Sequence, residues 1–101
     1  MNVCLVLRGT KVVGFLEEDV VFELRKIVGT NAEPLASLEG LPADAKTRFE
    51  AVTEGNIEVL ICDDIPEDLA MRISAAGVTV VAEEHGDARG SIRRVMVELC
   101  K

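Results

Sequence analysis

The sequence has no tryptophan or tyrosine and only three phenylalanines among its 101 residues. A core must therefore be built from aliphatic side chains, because valine, leucine, isoleucine and alanine supply most of the 49% of residues that are hydrophobic. Such a core is too aliphatic, and glycine (8) and proline (3) are too sparse, for a disordered chain. No hydrophobic run approaches the roughly 18–20 residues that a membrane span needs. We therefore expect one small folded domain, 1–101, that makes no membrane contact.

Cysteine and histidine are also scarce. The three cysteines, at positions 4, 62 and 100, are too far apart for a disulfide framework in so short a chain. They predict a reducing, cytoplasmic compartment. The apolar run at 3–7 has no basic residue before it, so it is typical of a first strand rather than of a signal peptide.

Basic residues are the minority, with 11 against 18 acidic ones and a net charge of −7. Residues 1–88 contain 7 basic and 17 acidic residues, whereas residues 89–101 contain four basic and one acidic. An acidic body repels phosphate backbones, so no nucleic-acid partner is expected. The basic patch of Arg89, Arg93 and Arg94 could contact an anion, or it could be the solvated face of a last helix.

The second half predicts a strand–helix–strand unit. The mainly apolar segment 56–62 (NIEVLIC) is typical of a strand buried on both faces, and 78–82 predicts the next strand. Between them, Asp64 could cap a helix, Pro66 suits its first turn and Gly77 suits its end. The spacing places one set of side chains on the inner helix face: Ile65, Leu69, Ile73 and Ala76. Two strands joined in this way are expected to be parallel neighbours.

Two further helices are predicted. Residues 42–55 form the first, with Asp44 in its first turn and an apolar face made by Ala45, Phe49 and Val52. The second begins between Asp87 and Ser91. Its apolar positions recur at spacings of three and four: Ile92, Val95, Met96, Leu99 and Cys100.

The first half is harder to interpret. Residues 2–8 predict a strand, and the turn after it predicts a hairpin into a second strand at 12–16. Residues 17–28 fit either a helix or a strand, and the adjacent valines and the turn that follows favour a strand. Residues 32–38 then form an edge strand, where Pro34 is tolerated. Such an edge could pair with a second copy, so both a monomer and a homodimer remain open.

These elements predict an α/β single domain whose mixed sheet has early antiparallel strands, then parallel strands, flanked by helices. Ligands of α/β sheets gather beyond the carboxyl ends of parallel strands. That rule selects Cys62, Asp63 and Asp64 after one strand, and Glu83, Glu84 and His85 after its neighbour, about 4.8 Å away.

The chemistry of this group of residues is open. Cysteine and histidine suit iron or zinc, but a single Cys62 and a single His85 cannot complete a tetrahedral zinc site. Cys62 at a strand end also fits a small buried hydrophobe, and His85 an exposed surface residue. No nucleophile elbow or phosphate-binding loop motif occurs in the sequence. A Mg²⁺-dependent nuclease would need at least two further carboxylates near Asp63.

The order of these elements resembles that of a known family. The pattern begins with a strand and the loop after it at residues 59–66 (VLICDDIP), and continues with a helix that ends in AAGV (75–78). A short strand at 80–81, a loop that contains Gly86 and a last helix after Gly90 follow. This pattern is similar to the dinitrogenase iron–molybdenum cofactor biosynthesis family (NifX/NafY/NifB C-terminal-like). Asp63 and Asp64 replace the paired glycines of that family's motif.

The resemblance implies a ribonuclease H-like fold and a small non-enzymatic carrier that binds an iron–sulfur or iron–molybdenum cluster precursor. It would work beside a protein partner in cofactor assembly. The cofactor-binding residues would be Cys62, Asp63, Asp64 and His85, with no catalytic residue. The alternative is a protein–protein interaction or regulatory module without a ligand.

Overall fold

The computed structural model describes residues 1–84 and 86–99, without the side chains of residues 96, 98 and 99. His85 and Cys100, both named above, lie outside the described residues. The strands and helices follow one another as β1 Asn2–Arg8, β2 Lys11–Val12, β3 Val21–Val28, β4 Asn31–Leu38, α1 Ala45–Thr53, β5 Val59–Ile61, α2 Glu67–Ala75, β6 Thr79–Val81, β7 Gly86–Asp87 and α3 Ala88–Leu99. The predicted α/β class is confirmed.

Strand β1 is the centre of the sheet. It pairs antiparallel with β3 and β2, and parallel with β5. Strand β4 pairs antiparallel with β3, and β6 pairs parallel with β5. Within the described part of the chain, β4 and β6 are the edge strands of the main sheet, whose order is β4-β3-β1-β5-β6. The short pair of β2 and β7 extends the sheet near the end of β1.

The two faces of the sheet bury separate clusters because side chains alternate along each strand. In β1, Cys4 and Val6 point to the face covered by α1 and α2, and Leu5 points to the face covered by α3. Residues 3–6 are fully buried. This two-sided burial explains why the sequence of β1 is a continuous apolar run rather than an alternating one.

The ambiguous segment 17–28 contains strand β3, as favoured, and the edge strand predicted at 32–38 is β4. The predicted strand at 12–16 is wrong beyond Val12. After Val13 the chain leaves the sheet, since the Phe15 N–H donates to the Asp64 carbonyl (2.7 Å) and the Phe15 ring is fully buried.

Helix α2 buries Leu69 and Ile73 against the sheet, as predicted. Gly77 follows it with φ +96°, a left-handed conformation that suits glycine at a helix end. The predicted cap was wrong. Pro66 is the N-cap residue and no side chain caps the helix, so Asp64 has no capping role. Ala76, predicted on the inner face, is exposed at the C-cap.

The buried face of helix α1 differs from the predicted one. Asp44 precedes the first turn as the N-cap, where its carboxylate accepts from the Lys46 N–H (3.2 Å). The buried residues are Arg48 and Val52, whereas Ala45 is exposed. Helix α3 begins at Ala88, inside the predicted interval, and buries Ile92 and Val95. The predicted inward positions of Met96, Leu99 and Cys100 concern side chains outside the described residues. The longest described helix, α3, has 12 residues, too few for a membrane span.

Candidate functional site

The loops that follow β5 and β6 are hydrogen-bonded to each other at the carboxyl ends of those strands. The Cys62 N–H donates to the Val81 carbonyl (3.1 Å), and the Glu83 N–H donates to the Asp63 carbonyl (2.6 Å). The Glu84 N–H donates to the Cys62 carbonyl (3.2 Å). Cys62 and Asp63 are therefore joined to Glu83 and Glu84 through their backbones, and we call this edge of the sheet, with its loops, the rim.

A third segment, residues 13–17, completes this rim, and sequence reasoning missed it. The Asp63 N–H donates to the Val13 carbonyl (3.0 Å), and the neighbouring Asp64 carbonyl accepts from Phe15 (2.7 Å). A shallow cavity of about 390 Å³ opens between the segments. Its lining residues are Gly14, Leu16, Glu17, Glu18, Asp64 and Pro66. Three of these are acidic, and one of them, Glu17, forms an ion pair with Arg8 (3.1 Å). Glu18 and Asp64 remain to favour cationic groups over anions.

The Cys62 side chain is not presented at the rim. It is fully buried in the cluster beneath α1 and α2, together with Cys4. Burial, reinforced by the charges of Asp63 and Asp64, raises the pKa of the Cys62 thiol to about 12. Burial also raises the pKa of Cys4 to about 12. Since the thiolate is the metal ligand and nucleophile, neither sulfur is reactive at neutral pH in this conformation.

The acidic side chains of the rim differ in exposure. Asp63 is half-buried, whereas Asp64 and Glu83 are exposed. Glu83 has φ +62°, a left-handed conformation that side chains rarely adopt, and its hydrogen bond to Asp63 holds it there. Among the described residues, no group of three or more His, Cys, Asp or Glu side chains could hold a metal ion. The carboxylate cluster that a Mg²⁺-dependent nuclease needs is therefore not found in that part of the chain.

Arg48 holds the third segment in place from inside the protein. Its guanidinium donates four hydrogen bonds to backbone carbonyls, of Phe15 (2.8 Å), Glu17 (2.6 Å), Leu41 (3.1 Å) and Pro42 (2.9 Å). The side chain is only 1% exposed. Arg48 lies four residues before the buried Val52, a helical spacing that could have indicated its inward position. That position was not predicted, because an arginine is almost never fully buried unless it is partnered.

The electrostatics of Arg48 fit a fixed structural cation. Burial lowers the pKa of the guanidinium, and the charge of Glu18 opposes that shift. An arginine remains protonated in proteins, so its charge persists and its donors stay available. The guanidinium carbon also lies 5.4 Å from the centre of the Phe22 ring. Arg48 thus joins α1, the sheet and the rim segment.

The basic patch on α3 divides into two parts. Arg94 forms an ion pair with Glu84 (2.6 Å), which ties the loop after β6 to α3. The hydrogen bond and charge of Glu84 raise the pKa of Arg94. Arg89 and Arg93 line a groove between α3 and the β3–β4 hairpin, and Arg93 also lines the cavity beside Arg94 and Glu84. Glu84 is therefore bound to α3 rather than free at the rim.

Fold and site together define a small α/β domain with an acidic rim at the carboxyl ends of two neighbouring strands. Its backbone is similar to the crystal structure of a protein named PH0822, with a TM-score of 0.73. The two sequences are 14% identical, over 97% of this chain and 92% of the other. At this identity the likeness shows the fold alone. No protein-family model matches the chain, and no curated protein matches it.

Proposed function

We propose that this chain is a small non-enzymatic binding protein of the cytoplasm, similar to the iron–molybdenum cofactor biosynthesis family and with its ribonuclease H-like arrangement. Its cargo is an iron–sulfur or iron–molybdenum cluster precursor, which it delivers to a protein partner in cofactor assembly. The observation that supports this function most is the convergence of three chain segments at one rim, where Asp63 and Asp64 lie between residues 13–17 and 83–84.

The rim constrains how such a cargo is held. In this conformation the Cys62 thiol is buried and protonated, so it does not fit a cluster ligand. The groups that the rim offers are carboxylates, which suit an exposed iron ion better than they suit sulfide. We therefore assign the contact with the cargo to Asp63 and Asp64, and we include His85 as the predicted nitrogen ligand of the same rim.

Anaerobic reconstitution tests this proposal. The purified protein is incubated with ferrous iron and sulfide and desalted, and bound iron, sulfide and visible absorbance are measured. We expect stoichiometric iron in the unmodified chain and its loss in D63N/D64N. The matched control is E50Q/E54Q, which removes two exposed carboxylates from the α1 region and changes the net charge equally. A colourless protein, or equal iron in both variants, would count against a cluster cargo.

Two observations favour a second function, that of an interaction or regulatory module without a ligand. Cys62, the softest ligand selected from the sequence, is part of the core, and Glu84 is held by Arg94. Native mass spectrometry of the protein purified from its own cell distinguishes the two functions. A stoichiometric protein partner with no bound iron supports the interaction module, and bound iron supports the carrier.

A further inference from the structure

A basic groove lies on the face of the sheet opposite the buried Cys62. Its volume is about 810 Å³, within the 300–1,000 Å³ that is typical of small-molecule sites. One wall is the β3–β4 hairpin, with Arg25 from β3 and Thr30 and Asn31 at the turn. The other wall is α3, which contributes Arg89 and Arg93.

The charge of this groove is opposite to that of the whole protein. Three of the described residues that line the groove are arginines, and no described lining residue is acidic. The chain as a whole carries −7. Arg25 is paired with Glu23 (2.7 Å) from the same strand. Among the described residues, neither Arg89 nor Arg93 has an ion pair, so the groove keeps two uncompensated positive charges.

The placement of those two charges is unfavourable without a ligand. Arg89 and Arg93 are four residues apart on one helix face, and like charges at that spacing destabilise a helix slightly. The sequence of α3 has three arginines and one glutamate, so the helix does not neutralise itself. Beside the arginines, the partly apolar surface of Ala32, Ile92 and Val97 could contact a carbon skeleton.

We propose that this groove binds a small organic oligoanion, a molecule with at least two phosphate or carboxylate groups. Arg89 and Arg93 contact the anionic groups, because planar guanidinium donors match phosphate and carboxylate oxygens. Thr30 and Asn31 add neutral polar groups at the hairpin turn. The site is separate from the acidic rim, so the proposal holds whether or not a metal cluster binds there.

Titration of the labelled protein followed by amide chemical shifts tests the proposal, with pyrophosphate, citrate and ATP as probes. We expect saturable 1:1 binding of at least one probe, with shifts at the amides of Thr30, Arg89 and Arg93. Affinity falls on the order of tenfold in R89Q, and on the order of a hundredfold in R89Q/R93Q, since each lost charged hydrogen bond is worth about one factor of ten. Both arginines are exposed, so these variants should remain folded, which circular dichroism checks.

K11Q/K46Q is the matched control, because it removes two exposed positive charges outside the groove. Unchanged affinity in this control supports a built site, and equal weakening overturns it in favour of general charge attraction. Binding of pyrophosphate and ATP without citrate identifies phosphate as the recognised group, and the reverse identifies carboxylate. Absence of saturation by all three probes at millimolar concentration overturns the small-ligand site.

Discussion

Removal of the Arg48 guanidinium is expected to destabilise the protein strongly and to loosen the rim. The side chain joins residues 15–17 and 41–42 to α1 through four hydrogen bonds. In Arg48→Ala those carbonyls lose their donor, and a cavity opens beside Phe22. In Arg48→Met the volume is largely retained, so this variant isolates the loss of the donors.

The magnitude follows from the four hydrogen bonds that the guanidinium donates. At about 1.5–3 kcal/mol for each bond to a charged group, they would sum to at least about 6 kcal/mol if they were additive. Bonds that share one side chain are not additive, so the loss is smaller than that sum. We expect a net loss of about 3–5 kcal/mol, against a total stability of about 5–15 kcal/mol for a domain of this size.

Urea denaturation followed by far-ultraviolet circular dichroism measures this loss, because the chain has no tryptophan or tyrosine to report fluorescence. Such a loss also lowers the melting temperature by roughly 12 °C or more. If hydrogen bonding dominates, the loss in free energy of unfolding in Arg48→Met should lie within about 1 kcal/mol of the loss in Arg48→Ala. Hydrogen exchange of the Phe15 amide, which donates to Asp64, reports the loosening of the rim.

Arg72→Ala is the matched control. Arg72 is an exposed arginine of α2 whose guanidinium lies 4.9 Å from the centre of the Phe49 ring. Exposed contacts of this kind contribute about 0.5–1 kcal/mol. If Arg48→Ala costs no more than this control, the buried arginine is not the structural element described here.

Three further predictions concern the core, a helix cap and the thiols. Leu69→Ala and Ile73→Ala should each cost about 2–5 kcal/mol in urea denaturation, since both side chains are buried; an unchanged midpoint would contradict the α2 packing. Hydrogen bonds from Thr47 and Lys46 lower the pKa of Asp44, so the stabilisation by its carboxylate is present at neutral pH and lost as pH falls through the folded pKa. Asp44→Ala should therefore destabilise at pH 7 and converge with the unmodified chain in acid; a constant difference would refute this origin. In a Cys100→Ser background, Cys62 and Cys4 should resist thiol reagents at pH 8 until the chain unfolds. Because both folded pKa values are about 12 against 9.0, stability should also fall as pH rises from 9 toward 12; rapid labelling of the folded protein would show that a thiol is accessible.

The elements of the second half were predictable because their signals are local. The apolar run before Asp63, the inward pair Leu69 and Ile73 and the terminal Gly77 act through neighbours in sequence, and the structure places each as expected. The strand at 12–16 was not predictable in the same way. Residues after Val12 have side chains typical of a strand. The Phe15 N–H instead forms a hydrogen bond with the carbonyl of Asp64, about fifty residues away in the sequence, and the chain leaves the sheet.

The rim was only partly predictable for the same reason. The rule for strand ends placed Cys62 and Asp63 beside Glu83 and Glu84, and the backbone hydrogen bonds show that arrangement. It could not show that Cys62 points into the core, because the direction of a side chain at a strand end depends on the register with β1 and on the covering helices. Arg48 escaped prediction because its acceptors are backbone carbonyls, which leave no signature in the sequence.

Whether the rim of this domain holds a metal-cluster cargo can be measured by paramagnetic broadening of amide signals after anaerobic reconstitution with iron and sulfide. An iron centre broadens the signals of nearby amides, so the spectrum reports where the cargo binds. We predict broadening confined to residues 14–17, Asp63, Asp64 and Glu83, with the amides of Thr30 and Arg89 in the basic groove retained. Broadening centred on that groove, or an unchanged spectrum, would contradict a cargo site at the rim.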